Sequence, residues 1–427
     1  MNHESDDDAA VSTHPEKITA SAGADAGAVK TDRVNQAKQD DIRAACVDVD
    51  IPELQRLAES PGGFLTDGLR RLAWPILLGL PVLSTNDEPL SASEHGDDTH
   101  DDNDYGGWKE LPRHREEDQV QLDVNRSFVY YPTNLSESAL SRRRAQLSAL
   151  ICSVLRAHPY LCYFQGYHDI CQVLLLVLRP TTTATECLAR LSLLRIRDFM
   201  LPNLGPTTAQ LRLLPDLLER VADPALRRHR IAALDPFYAL AGTLTMYSHN
   251  IEGYRDIARL FDALLAREPV FSVYLFAQII LDRRDELLAV AADDEDGCSD
   301  MLHVVLARVP AEMDIDGLVR RAAAVFKQHP PETLPAWRRI SPASALKTAR
   351  DHPRRAAAQS LADGEAFFDR QARELRWLDR RNALLKVAWA YRRPARAVGV
   401  AVAVGLVAFY MRRNPALINH VLSFLAR

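Results

Sequence analysis

Apolar residues recur along most of this chain at the three- and four-residue intervals of an α-helix. Leu147, Leu150, Ile151, Val154 and Leu155 fall at i, i+3, i+4, i+7 and i+8, and Ile257, Leu260, Phe261, Leu264 and Leu265 repeat that spacing. Leu211, Leu214, Leu218 and Val221 form a third stripe. Each stripe is wide enough to face a core rather than a two-stranded seam. No run of alternating β-branched residues interrupts them, and no fixed period suggests a solenoid. The fold class is therefore all-α, with helices over 108–335 joined by short connections that Pro and Gly punctuate, such as Pro202 to Pro206. Upstream, Ile51, Leu54 and Leu57 predict a short helix. Leu69, Leu72 and Ala73 predict another, with Pro75 early in the next helical turn.

The pattern fails in several stretches. Residues 1–37 are polar, begin acidic with Asp6, Asp7 and Asp8, and hold no apolar core of a secretory signal, so they read as a disordered tail. Residues 84–107 crowd Asp87, Glu88, Glu94, Asp97, Asp98, Asp101, Asp102 and Asp104 into a stretch with few apolar residues, which reads as a solvated acidic insertion. A calcium loop counted from Asp101 places Pro112 where a bidentate Glu is required, and is rejected. Residues 290–299 form a second acidic loop, and 336–396 read as an Arg- and Ala-rich linker. Ala397 to Met411 is a run of 15 residues without charge. At about 1.5 Å per residue it spans roughly 22 Å, short of a typical membrane core of about 30 Å. Arg396, Arg412 and Arg413 have stems that can snorkel to close the gap. Arg380, Arg381, Lys386, Arg392, Arg393 and Arg396 precede the run, so the positive-inside tendency puts the N-terminal bulk in the cytosol. The expectation is a transmembrane anchor at 397–411 with a short tail, 412–427.

Composition narrows the chemistry. The 427 residues are 47% hydrophobic and 26% charged with a net charge of -5, which gives no basic footprint for nucleic acid. No two of the six cysteines have C-x-x-C spacing, and they read as reduced thiols in a cytosolic chain. Signatures for a phosphate-binding loop, a dinucleotide site, a zinc protease and a serine hydrolase are all missing.

Two polar clusters stand against the apolar stripes. In Gln119 to Phe128, Asp123 and Arg126 lie three apart and share a helix face, which a surface ion pair would explain equally well. In Tyr163-Phe164-Gln165-Gly166-Tyr167-His168-Asp169, Gln165 and Gly166 sit where a loop enters the apolar run Val173 to Leu178; a simple turn glycine would also account for them. His168 and Asp169 are neighbours on that helix and point about 100° apart, so no acid–base dyad follows.

Taken in order, these motifs resemble those of the TBC domain family of Rab GTPase-activating proteins. Leu69-Arg70-x-x-x-Trp74 with Leu77-Leu78 is similar to the first family motif. Asp123-x-x-Arg126 is similar to the second, with Val120 in place of the usual Ile, and Tyr163-x-Gln165-Gly166 to the third. Further likeness runs through Arg197-Asp198-Phe199-Met200 and Tyr254 to Leu265, so the resemblance covers about residues 60–335. Gly166-Tyr167-His168-Asp169, with His168 where Asn is commoner, resembles the branch that carries a C-terminal membrane segment.

The resemblance implies a multi-helix Rab-GAP domain over 38–335 and a Rab-family small GTPase as partner. It implies that Arg126 is an arginine finger and Gln165 a glutamine finger that orients the attacking water, both supplied in trans. Asp123 would hold Arg126, while Arg70, Trp74, Tyr163 and Gly166 would support the site. The chain itself would not be an enzyme and would need no cofactor, since GTP and Mg²⁺ belong to the GTPase. The branch implies an endoplasmic reticulum tail anchor, a cytosolic catalytic domain and a role in traffic towards the Golgi. A catalytically silent Rab-binding scaffold and a helical membrane adaptor are the alternatives.

Overall fold

A computed structural model describes residues 21–81, 107–179, 181–229, 231–292, 299–350 and 357–413. The acidic insertion expected at 84–107 lies outside the described residues except for Gly107, as do 293–298 of the second acidic loop, residues 1–20 and residues 414–427. Every regular element among the described residues is helical. The first helices are α1 (Ser21–Val47), α2 (Ile51–Glu59), α3 (Asp67–Leu77), α4 (Glu117–Val124), α5 (Glu137–Ala157), α6 (Tyr167–Leu178) and α7 (Thr182–Arg190). After these come α8 (Gly205–Leu211), α9 (Leu213–Val221), α10 (Pro224–Arg228), α11 (Leu240–Leu244), α12 (Tyr254–Ala266) and α13 (Phe271–Asp282). The chain continues through α14 (Arg284–Ala292), α15 (Ser299–Ala307), α16 (Ile315–Gln328), α17 (Ala345–Thr348) and α18 (Leu361–Arg413).

Local chemistry starts these helices where they start. Asp50, Thr66, Ser136, Thr181 and Asp314 each accept a backbone N–H of the first turn of α2, α3, α5, α7 and α16. Such a cap satisfies a donor that the helix itself cannot. Pro75 is inside α3 rather than opening a new turn, and α3 stops two residues later at Leu77. The N–H that Pro75 lacks would have bonded back to the Arg71 carbonyl; the helix ends where Gly79 turns at φ +84 and the Leu80 N–H closes on the Pro75 carbonyl at 2.9 Å.

Two helices are apolar on nearly every side and form the centre. In α6, Ile170, Cys171, Val173, Leu174, Leu175 and Val177 are all fully buried, and α6 packs against α3, α5 and α7. In α13, Phe271, Tyr274, Leu275, Phe276 and Ile280 are buried between α9 and α16. The amphipathic helices α5 and α12 turn their predicted stripes inward: Leu147, Ile151 and Leu155 are buried, as are Ile257, Leu260 and Phe261.

Three expected boundaries move. Helix α1 begins at Ser21, inside the tail expected to be disordered over 1–37, and Ile42 and Cys46 on its later turns are buried. Residues 336–349, expected as the start of a linker, are packed into the domain: Trp337, Ala343 and Leu346 are buried. Main-chain and side-chain atoms share their hold: Arg197 Nη2 donates to the Ala343 carbonyl at 2.5 Å, Asp198 Oδ1 accepts the Ala345 N–H at 3.0 Å, and the hydroxyls of Thr348 and Ser344 meet Arg197 and Asp198. From Leu361 onward the expected linker is helical. The chain divides into one unit up to Glu365 and a second from Ala366 onward, and α18 runs through the second.

Among the described residues no single helix is long and apolar enough to cross a membrane; Leu361–Arg392 and Arg396–Arg413, bent by 50°, reach that length and composition only together.

Candidate functional site

Helix α4 is short, and its end presents Arg126. The chain leaves α4 at Val124 but keeps turning, with the Arg126 N–H on the Asp123 carbonyl at 3.0 Å and the Ser127 N–H on that of Val124 at 3.0 Å. Arg126 therefore stays over Asp123 although it lies beyond the helix, and its Nη2 is 2.5 Å from Asp123 Oδ1. The pair is asymmetric: the Arg126 side chain is 69% exposed and that of Asp123 is 0% exposed. A surface ion pair has both partners in water; here a buried carboxylate holds an exposed guanidinium.

Asp123 is fully buried, and its carboxylate is met by protein donors. Gln119 Nε2 reaches Oδ1 at 3.1 Å and the Tyr163 hydroxyl reaches Oδ2 at 2.9 Å. Burial pushes the Asp123 carboxyl up, but the hydrogen bonds from Tyr163, Arg126 and Gln119 outweigh it and hold the carboxyl below its ordinary range. Burial first, and then the Asp123 carboxylate, drive the Tyr163 hydroxyl far above the ordinary phenol range, so it remains a donor.

Tyr163 also ties the second motif to the third. Its N–H donates to Glu116 Oε2 at 2.5 Å, so the two ends of α4 grip one residue of the loop that carries Gln165. Gln165 is exposed. Gly166 then opens α6 at φ +99, and a Cβ there would lie 2.5 Å from Thr245 Cγ2, so only glycine fits between loop and neighbour. From α6, Gln172 reaches back: its Oε1 accepts the Phe128 N–H at 3.0 Å and its Nε2 donates to the Tyr131 carbonyl at 3.2 Å. The stretch after Arg126 is thus fixed to the helix after Gln165. Gln172 was not legible as a site residue, being one polar position in an apolar run.

Arg70 and Trp74 are placed elsewhere. Both meet the buried carboxylate of Asp262 on α12: Arg70 Nε and Nη2 at 3.0 and 3.1 Å, and Trp74 Nε1 at 2.9 Å. Asp262 also accepts the Phe64 N–H at 3.0 Å. Arg70 Nη1 reaches Asp67, whose other oxygen accepts the Tyr254 hydroxyl at 2.7 Å. The Tyr254 ring lies 5.7 Å from that of Tyr131, the residue that Gln172 holds. Arg70 and Trp74 therefore act on the α3–α12 junction and reach the Arg126 region only through intervening packing.

His168 and Asp169 do meet, contrary to their divergence as helix neighbours: His168 Nε2 is 3.3 Å from Asp169 Oδ1. Rotation about their side-chain bonds closes a gap that backbone direction alone opens. His168 Nδ1 lies 3.2 Å from the Tyr163 oxygen, and His249 Nδ1 lies 3.0 Å from Asp169 Oδ2. Among the described residues no group of three His, Cys, Asp or Glu side chains is arranged to hold a metal ion.

Residues 67–288 match the Rab-GTPase-TBC domain. The chain belongs to that family. The TBC domain so defined opens on the first residue of α3 and contains both motif clusters. Over 325 residues the chain is 33% identical to the GTPase-activating protein gyp10 of Schizosaccharomyces pombe, covering 76% of this chain and 81% of that protein. It is 31% identical to TBC1 domain family member 20 of Homo sapiens over 67% of this chain and 65% of that one. Against the GTPase-activating protein GYP8 of Saccharomyces cerevisiae it is 23% identical over 56% of this chain and 50% of that one. The TBC domain of a Chlamydomonas flagellar RabGAP aligns over 72% of this chain and 97% of its own, with a TM-score of 0.49 and 18% identity.

Proposed function

We propose that this chain accelerates GTP hydrolysis by a Rab-family small GTPase, with Arg126 as arginine finger and Gln165 as the group that orients water. Hydrolysis spreads negative charge over the transferred phosphoryl group, and a guanidinium fixed beside it stabilises that charge. The observation that carries the reading is the asymmetric pair: Arg126 is exposed and Asp123 is buried and held by Tyr163, two residues before the exposed Gln165. A finger needs this combination, a free charge on an immobile base. GTP and Mg²⁺ belong to the GTPase in this reading, and the chain contributes side chains alone.

We further place the protein on a membrane of the endoplasmic reticulum, anchored through its C-terminal segment and acting in traffic towards the Golgi. Val398, Val400, Val402, Val404, Leu406 and Phe409 are exposed along α18, and a helix apolar all round calls for an apolar solvent. The first segment of that bent helix carries basic residues that suit a lipid surface.

The test is single-turnover hydrolysis by a panel of Rab proteins with the full chain, its Arg126→Ala form and its Gln165→Ala form. One or two Rabs accelerated many-fold, with either substitution removing the effect, is the expected result. Nucleotide-dependent binding without acceleration would identify a silent scaffold instead.

A further inference from the structure

The row Asp123–Tyr163–His168–Asp169–His249 raises a question of proton supply. The Tyr163 oxygen has one hydrogen and two neighbours, Asp123 Oδ2 at 2.9 Å and His168 Nδ1 at 3.2 Å. If the hydroxyl points to Asp123, His168 must offer Nδ1–H to the phenol oxygen. If it points to His168, that nitrogen must be bare and the proton of the neutral ring sits on Nε2, facing Asp169 Oδ1 at 3.3 Å.

Each arrangement of the neutral ring keeps one hydrogen bond to a carboxylate and sacrifices the other, so bond strength alone does not choose. Burial does. Asp169 is 17% exposed, retains His249 at 3.0 Å, and can take water in place of His168. Asp123 is 0% exposed, and nothing replaces Tyr163 on its Oδ2. An unsatisfied buried carboxylate oxygen is the costlier loss.

We propose that His168 is a positioning residue: as the Nδ1–H tautomer it donates to the Tyr163 oxygen, commits the Tyr163 proton to Asp123, and so keeps Asp123 in place under Arg126. This rests on the reading of Arg126 as the finger. The charged groups facing the ring are Asp123 and Arg126 from the end of α4, Asp169 from its own helix, and His249 from the segment before α12. Burial holds the ring below the ordinary histidine range against the pull of the two carboxylates, which leaves it neutral at neutral pH.

Two measurements on the full chain test this. Nitrogen-15 resonances of the His168 ring at pH 7.5 are expected to show Nδ1 protonated and Nε2 bare; the opposite tautomer overturns the proposal. Rab-stimulated hydrolysis is then compared in a cycle of His168→Leu, Tyr163→Phe and the double variant, with His168→Asn alongside. Leucine fills the space without a donor and is expected to lower kcat about tenfold at unchanged KM, the size of one lost hydrogen bond. Asparagine places an amide donor near the Nδ1 position and is expected to retain most of the rate. In the Tyr163→Phe background the leucine substitution is expected to add nothing, because the bond it breaks is already gone. Full additivity, or equal loss in the leucine and asparagine forms, would reduce His168 to packing and overturn the proposal. A wild-type chain that stimulates no Rab sinks the finger reading instead, while the ring resonances still report the tautomer.

Discussion

Arg70 and Asp262 form a buried ion pair across 192 positions of sequence, with Nε and Nη2 of the guanidinium on the two carboxylate oxygens. The Arg70 side chain is 6% exposed and that of Asp262 is 0% exposed. Burial opposes the charge on Arg70, yet Asp262 and Asp67 raise it above the ordinary arginine range, so the guanidinium keeps its charge. Removing one partner of such a pair strands the other charge and costs about 3–5 kcal/mol. Asp262→Ala is expected to lose that much stability in urea. Because this network is on the α3–α12 junction, the remaining folded protein at low temperature is expected to stimulate a Rab within a few-fold of wild type. A loss of kcat in fully folded Asp262→Ala would place the pair in the catalytic machinery.

Arg126 should behave in the opposite way. Its side chain is 69% exposed but donates to the buried Asp123 carboxylate, to which Gln119 still donates, so Arg126→Ala is expected to cost about 1–2 kcal/mol, less than the loss at Asp262. The rate of stimulated hydrolysis is expected to fall about a thousandfold or more. Arg126→Lys should not restore it, because an ammonium cannot present a planar fork to phosphate oxygens. Calorimetry and single-turnover hydrolysis on the same preparations separate these effects.

What was legible in the sequence follows from what each residue depends on. Helices α5 and α12 were readable because their burial repeats with the helix period, and the Asp123–Arg126 pair because its geometry is local. Asp262 was not readable: it lies between Phe261 and Ala263 in an apolar stripe, and only the return of α12 to α3 gives it Arg70, Trp74 and the Phe64 N–H. The packing of residues 336–349 was hidden for another reason. Main-chain atoms of Ala343 and Ala345 make two of its bonds to Arg197 and Asp198, and main-chain atoms have no signature in composition.

Gly166→Ala is expected to damage both stability and rate. The backbone at φ +99 disfavours a side chain by roughly 1–3 kcal/mol, and the added methyl meets Thr245 Cγ2 at 2.5 Å. Thr245→Ser removes that methyl and keeps the hydroxyl that bonds the Ala241 carbonyl at 2.8 Å. The double variant should therefore recover part of the stability, while the dihedral strain beside Gln165 keeps the rate low. Denaturant melts and kcat on the four proteins of the cycle check this.

The apolar surface of α18 gives a prediction about lipid. The full chain is expected to float with vesicles of mixed neutral and anionic phospholipid, and a chain ending at Arg392 is expected to remain at the bottom of the gradient. Stimulation of a soluble Rab should be unchanged by the truncation, since Arg126 and Gln165 belong to the unit that ends at Glu365. Flotation of the truncated chain would move the anchor to another part of the molecule.

The depressed carboxyl of Asp123 fixes a dependence on pH. Its folded-state value lies below the unfolded one, so its stabilising contribution is complete above the unfolded value of about 3.9 and is lost as pH falls through the folded value. Asp123→Asn cannot titrate there and serves as the reference. The difference in unfolding free energy between wild type and Asp123→Asn is expected to stay constant from pH 8 down to about 5 and to shrink only below that. Burial acting alone would raise the carboxyl above its unfolded value, and wild type would then gain stability relative to Asp123→Asn as pH falls through that raised value. Urea melts of both proteins across this range tell the two apart, and thereby decide whether the donors from Tyr163, Arg126 and Gln119 outweigh the desolvation of a carboxylate that is 0% exposed.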